Sequence, residues 1–183
     1  MFALTKRLTL RPGWPEDAPA LARAIGQRAV AANLSGVPWP YTLGDAEAFL
    51  AKPRGGRDVV LLICSREADG HPLVGGIGLR AAAPGEAPML GYWLVPEAWG
   101  RGYMTEAARA VIDIARDALG LRRVRARHFV DNAASARVLA KLGFRPTGET
   151  VRLPCPARDE DVEARMLAVD LAPRRAAPLS IAA

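Results

Sequence analysis

Cysteine and histidine are both scarce, with two of each in 183 residues. Cys64 and Cys155 lie far apart and form no Cys-x-x-Cys pair, so two free thiols in a reducing compartment are expected rather than a disulfide framework. His71 falls in a turn signal and His128 on the apolar side of a strand signal, and without clustered cysteines they offer no donor set for zinc. No run of about 18 apolar residues occurs, so no membrane-spanning helix is expected. The apolar part of the opening MFALTKRLTLRPGW is too short for a secretion signal, which makes the cytoplasm the expected location. Two phosphate motifs are missing as well. No Gly-Lys-Ser/Thr ending marks a P-loop, and Thr105 stands where a dinucleotide Gly-x-Gly-x-x-Gly needs its last glycine. There is no internal repeat, and no aromatic-rich motif of a nucleic-acid binder.

What is present describes one globular domain. Hydrophobic residues make up 50% and charged residues 24% of the chain, a balance that supports a single buried core at this length. The formal charge of +6 is concentrated: residues 101–145 hold ten basic and four acidic side chains, while the remainder holds fifteen of each. A phosphate-bearing ligand would be drawn to that segment; the plainer alternative is a solvated basic face around helices.

Periodicity supplies the elements. Leu8 and Leu10 alternate with polar residues over 7–11, a strand signal. Pro15, with Glu16 and Asp17 behind it, opens a helix carrying Leu21, Ala24, Ile25 and Arg28 at helical spacing. The prolines of VPWPY, residues 37–41, fix a loop that presents Trp39 and Tyr41, and a short helix is expected over 45–51. Residues 58–65, 73–80 and 89–95 read as an antiparallel meander, with a turn at 67–70 and a break at 84–88. A long helix over 102–119 places Met104, Ala107, Ala108, Val111, Ala115 and Ala118 on one face, with Gly120 as its cap. Residues 122–130 alternate, with Val124, Ala126, His128 and Val130 on the apolar side. A helix over 132–142, capped by Gly143, and strands over 144–151 and 162–169 complete the pattern. The order argues a mixed α/β domain over residues 1–172, with a central, mostly antiparallel sheet flanked by helices. Residues 173–183 read as a flexible tail.

The chemistry concentrates in LGYWLVPEAWGRGYMTEAARA, residues 90–110. A strand ends, a short loop carries Gly100, Arg101 and Gly102, and a long helix begins. Glycines let a backbone approach a ligand closely, and the free N–H groups at a helix start bind anions. With the Arg101 guanidinium added, the segment is a candidate diphosphate cradle; the bland alternative is a tight strand-to-helix turn.

This stretch resembles the pyrophosphate-binding motif of GNAT acetyltransferases. A second stretch, DNAASARVLAKLGFRPTGE at residues 131–149, resembles the matching segment of the RimJ/RimL-type branch, as does the opening TKRLTLRP. The resemblance implies acetyl-CoA as acyl donor and no metal. It implies that the backbone at Leu94 and Val95 pairs with pantetheine, that Arg101, Gly102, Tyr103, Met104 and Thr105 hold the pyrophosphate through main-chain N–H groups, that Asn132 touches the pantetheine arm, and that Arg137 reaches the nucleotide end. The strands at 89–95 and 122–130 would splay to form the cleft. The acceptor would be an amine, on a protein N-terminus or a small molecule, with no nucleic-acid or membrane partner; a homodimer is compatible with this reading.

The usual acid and base of the family are missing. Leu139 stands where many relatives have a tyrosine, and Met89 where a glutamate is common. Ser135, the serine of an Asn-x-x-Ser pattern, is the candidate to protonate the departing thiolate, against the alternative of a local backbone bond. Glu86, Glu97 and the acidic run at 159–161 are candidate bases, alongside a water chain. Trp39 and Tyr41 either line an acceptor pocket or pack the first helix on the sheet. A degenerate domain that binds acyl-CoA without catalysis is the rival from another class.

Overall fold

Leu8 and Leu10 alternate with Thr9 and Arg11, and both leucines are fully buried in β2 (Leu8–Arg11). A two-residue strand, β1 (Ala3–Leu4), pairs with it. In the computed structural model, which describes residues 1–55, 58–80 and 85–173, β2 continues antiparallel into β3 (Val59–Ser65), β4 (Leu73–Arg80) and β5 (Met89–Leu94). This is the expected meander. Its glycines serve close packing: a Cβ on Gly76 would stand 2.7 Å from the Trp93 indole nitrogen, and one on Gly78 2.7 Å from the Val59 carbonyl oxygen.

Three helices separate β2 from β3: α1 (Ala18–Ile25), α2 (Arg28–Ala31) and α3 (Leu43–Ala51). Pro15 opens a single 3-10 turn ahead of α1. The Asp17 carboxylate fixes that entry, accepting from the Trp14 N–H at 2.8 Å and from both terminal nitrogens of Arg11 at 2.7 Å. The helix expected to run through Arg28 is divided, because Gln27 adopts an extended ψ of 122° and caps a separate turn. Thr42 starts α3 with reciprocal bonds: the Asp45 N–H donates to its hydroxyl at 3.2 Å, and its own N–H donates to the Asp45 carboxylate at 2.8 Å.

The second half follows as α4 (Tyr103–Asp113), prolonged by one π-helical turn (Ile114–Ala118), then β6 (Arg123–Phe129), α5 (Ala133–Lys141), β7 (Arg145–Cys155) and β8 (Glu160–Asp170). The sheet has eight strands in the order β1-β2-β3-β4-β5-β6-β8-β7. Every pairing is antiparallel except β5 with β6, which needs a crossover that α4 provides. The result is the expected mixed α/β architecture. α4 and α5 cover one face around Val111, Ala126 and Leu139; α1 and α3 cover the other around Leu21, Ile25, Ala46 and Leu62.

The last strands are longer than their sequence pattern suggests. β7 runs past the expected end at 151; it is the outermost strand of the sheet, so Pro154 sits in it opposite Asp161 without costing an inner ladder bond. Cys155, flanked by prolines, is buried rather than exposed, with its sulfur near the carbonyl oxygens of Ala31 and Ala32. Most of the expected tail, and the start of the expected break at 84–88, lie outside the described residues. Among the described residues no helix is long and apolar enough to cross a membrane.

Candidate functional site: a cleft between two parting strands

Met89 and Leu90 pair with Arg125 and Ala126, and there the parallel ladder stops. β5 follows β4 as far as Leu94, while β6 follows β8 as far as Phe129. The two halves of the sheet diverge around a cleft of roughly 400 Å³. The Val95 N–H is already bonded to the Val74 carbonyl at 3.0 Å. Main-chain groups along a strand turn alternately to either side, so Tyr92 and Leu94 turn theirs towards the gap. Of the expected pair Leu94 and Val95, Leu94 alone has its N–H directed there. The Leu94 carbonyl also accepts the Trp99 indole N–H at 2.9 Å.

One end of the cleft is the start of α4. Gly100 and Gly102 have φ of +72° and +78°, a left-handed conformation that glycine adopts without strain. The Glu106 N–H donates to the Gly102 carbonyl at 3.1 Å, so the N–H groups of Tyr103, Met104 and Thr105 precede the intrahelical ladder and have no acceptor within it. Gly102, Met104 and Thr105 line the cleft, as does Tyr103, although its side chain is fully buried beneath the loop. Arg101 is not a lining residue. Its guanidinium turns away to Glu67 at 3.5 Å and lies 4.9 Å from the Tyr103 ring centroid.

Arg7 braces this loop from behind. Its Nη1 donates to the Arg101 carbonyl at 2.9 Å, and its Nε to Glu106 at 2.8 Å. Glu106 also accepts the Thr5 hydroxyl at 2.7 Å and the Arg7 N–H at 2.8 Å. Burial pushes the Glu106 carboxyl pKa upward, but these hydrogen bonds outweigh it and the net shift is downward.

The walls come from β5, β6 and α5. Asn132 caps α5, accepting the Ser135 N–H at 2.9 Å, and its amide donates to Asn33 beyond α2 at 2.8 Å. Ser135, Arg137, Val138 and Lys141 line the α5 side. Opposite stands a residue that sequence reasoning missed. The Tyr92 hydroxyl is 2.8 Å from Ser135 Oγ, and burial, offset in part by that bond, pushes its pKa up to about 12. A tyrosine in a strand carries no distinguishing sequence signal; only its distance from Ser135 marks it.

His128 was expected in the core, and Val130 on the same apolar side. Instead His128 is half-buried in the cleft wall, because β5 leaves β6 after Leu90, and its Nδ1 lies 2.7 Å from the Phe129 carbonyl. Phe129 is buried on the opposite face with Cys155, Val162 and Ala164, and Val130 is exposed beyond the strand's end. Glu86, Glu97 and the run at 159–161 are exposed and not among the lining residues. Among the described residues, no carboxylate lines the cleft. Trp39 and Tyr41 are likewise not lining residues. Tyr41 packs with the Leu21 cluster, and burial pushes its pKa up to about 12.

The family described as Acetyltransferase (GNAT) domain matches residues 7–145. An uncharacterized N-acetyltransferase of Bacillus subtilis, YoaA, is 40% identical over 81 residues, which are 44% of this chain and 46% of that protein. The match thus spans about half the length of that relative. Among solved structures, RimJ of Mycobacterium smegmatis in complex with CoA-disulfide has a TM-score of 0.77 at 21% identity, covering 92% of this chain and 86% of the other. A ribosomal-protein-S5-alanine acetyltransferase from Vibrio fischeri has a TM-score of 0.78 at 19% identity, covering 93% and 96%. At these identities the likeness to solved structures is one of fold.

Proposed function

Because the chain belongs to the GNAT acetyltransferase family, we propose that it transfers an acetyl group from acetyl-CoA to a primary amine within a ternary complex. The observation that carries this reading is the parting of β5 from β6 directly above the uncapped start of α4. Pyrophosphate binds the N–H groups of residues 103–105, favoured by the helix dipole. The pantetheine arm lies along the gap-facing main chain of Tyr92 and Leu94 as an added strand. Arg137 and Lys141, on the same face as α4, meet the nucleotide phosphates. The Arg101 guanidinium steadies the loop, since it is engaged with Glu67, and leaves the residue's main-chain N–H as its contribution to the cradle. Asn132 positions the mouth, capping α5 and tying it to Asn33.

The amine attacks the thioester carbonyl. A C–N bond forms, and the C–S bond breaks as the tetrahedral intermediate collapses. The Leu94 N–H is the gap-facing donor for the developing oxyanion. Ser135 protonates the thiolate and takes a proton in turn from the Tyr92 hydroxyl bonded to its Oγ, a neutral phenol well above neutral pH that recovers its own proton from solvent. The proton lost by the amine passes to His128 or to water, since no carboxylate lines the cleft among the described residues. Names among the similar proteins, a RimJ and a ribosomal-protein alanine acetyltransferase, support a protein N-terminus as one acceptor class, with small-molecule amines as the other.

Thermal unfolding in the presence of acetyl-CoA, with ATP and NADH as controls, tests the reading. Ligand at about 100 times its dissociation constant adds about 2.7 kcal/mol, a rise of several degrees for a chain of this size. A rise selective for acetyl-CoA, followed by amine-dependent release of free thiol, is expected. Selective binding without thiol release would favour an acyl-CoA-binding module, and no shift would remove the cofactor assignment.

A further inference from the structure

The cleft passes through the sheet, and its two mouths differ in charge. Tyr92, His128 and Ser135 lie on the α4–α5 side, with the start of α4, Arg137 and Lys141. Trp93, Arg127 and Phe129 point to the opposite face, where α2 and the residues after it close the mouth with Val30, Asn33 and Leu34. If acetyl-CoA enters from the α4 side, the acceptor enters from this one. Its walls are chiefly apolar, and its charged lining residue is Arg127.

Arg127 is incompletely partnered. Its Nη2 donates to Ser35 Oγ at 3.1 Å, and among the described residues it makes no salt bridge. Its neighbour on the same face, Arg125, has Glu149 at 3.9 Å. The acid nearest in sequence, Asp131, is held by Arg158 at 2.5 Å. Arg127 is open to solvent through the mouth, yet the surrounding walls cost it hydration and lower its pKa. A guanidinium presents a planar fork of donors that matches a carboxylate or phosphate, and a single serine hydroxyl leaves most of that fork unused. The phosphates of CoA do not account for it, since their cradle at the start of α4 is on the other face.

Building on the acetyltransferase reading, we propose that the acceptor is an amine carrying an anionic group close to it, an amino acid or an acidic N-terminal peptide, and that Arg127 binds that anion. The anion is not consumed. It orients the amine, and the guanidinium compensates its desolvation. Cationic acceptors such as polyamines are disfavoured, because the acids at 159–161 that would attract them do not line the cleft.

Acceptors with and without the anion test this, with rates compared per unprotonated amine because losing the adjacent carboxylate also lowers the amine's pKa: L-alanine against L-alaninamide, and the amidated dipeptides Ala-Asp and Ala-Asn, with acetyl-CoA affinity measured in parallel by calorimetry. A charge-assisted contact predicts a kcat/KM advantage of about tenfold or more for the anionic member, shrinking with added salt. In Arg127→Gln that ratio falls towards one, and in Arg127→Lys part of it survives; unchanged acetyl-CoA affinity shows that both variants are folded. The free amino acid outrunning the dipeptide, or the reverse, tells which source supplies the anion. Equal rates within each pair, turnover of neither member, or an advantage that survives Arg127→Gln would overturn the anion site while acetyl-CoA binding stands. Failure of wild-type protein to bind acetyl-CoA would instead overturn the acetyltransferase reading beneath it.

Discussion

A serine in the first turn of a helix ordinarily turns its hydroxyl to nearby backbone. Ser135 does so only through its N–H, which Asn132 caps, while its Oγ is shared with Tyr92 across the cleft. A phenol absent from the helix at Leu139 thus faces Ser135 from the neighbouring strand. If this pair delivers a proton to the leaving thiolate, Ser135→Ala lowers kcat by about 10²-fold and leaves acetyl-CoA affinity within about twofold. Tyr92→Phe keeps the ring and removes the hydroxyl, so its loss in kcat is smaller and again leaves affinity unchanged. Steady-state kinetics beside calorimetry separate the two quantities. A KM-only effect would make the pair structural.

Among the elements, the turn between β1 and β2 acts on the site without touching it. Thr5 and Arg7 converge on Glu106 in α4, and Arg7 also holds the Arg101 carbonyl of the glycine loop. Glu106→Gln keeps the shape and removes the charge, so the loop loosens and acetyl-CoA binds about tenfold more weakly, a change calorimetry resolves. The same network sets an acid limit. Hydrogen bonds depress the carboxyl pKa of Glu106 against its burial, and the pKa values of Asp17 and Asp131 are lowered by Arg11 and Arg158 respectively. A carboxylate whose folded pKa lies below its unfolded value of about 4 contributes its stability in full above that value, and loses it as pH falls through the folded pKa. Denaturant midpoints are therefore expected to hold steady from neutral pH to about pH 5 and to fall below about pH 4, with Glu106→Gln flattening part of that fall.

For the whole molecule, one face of the sheet carries the main core, and Leu139 sits in it at 0% exposure. Leu139→Ala removes three heavy atoms of packing from a site beside the cleft and is expected to cost about 2–5 kcal/mol. Thermal denaturation reads that as a drop of several degrees or more. The basic surplus of residues 101–145 divides along the same architecture. Arg116 pairs with Asp113 and Asp117, and Arg123 with Asp170, whereas Arg137 and Lys141 line one side of the cleft and Arg127 the other. What reads as a single basic segment in the sequence has separate destinations once β6 is threaded between two helices.

The sequence by itself determined what depends on neighbours along the chain. The period of Leu8 and Leu10, the glycine that closes the helix at Gly143, and the Gly100-Arg101-Gly102 loop before a helix are local patterns, and each forms the element its pattern implies. The tertiary structure decided what depends on partners far away in sequence. The Val95 N–H was committed to Val74 by the register of β4 on β5, Arg101 was drawn off by Glu67, and Tyr41 was taken into the packing of α1. His128 was brought out of the core because β5 and β6 part after two residue pairs, a consequence of each strand keeping a longer partner on its other side. Periodicity records which face of a strand is apolar, but not where its neighbour leaves it, and the cleft exists only at that departure.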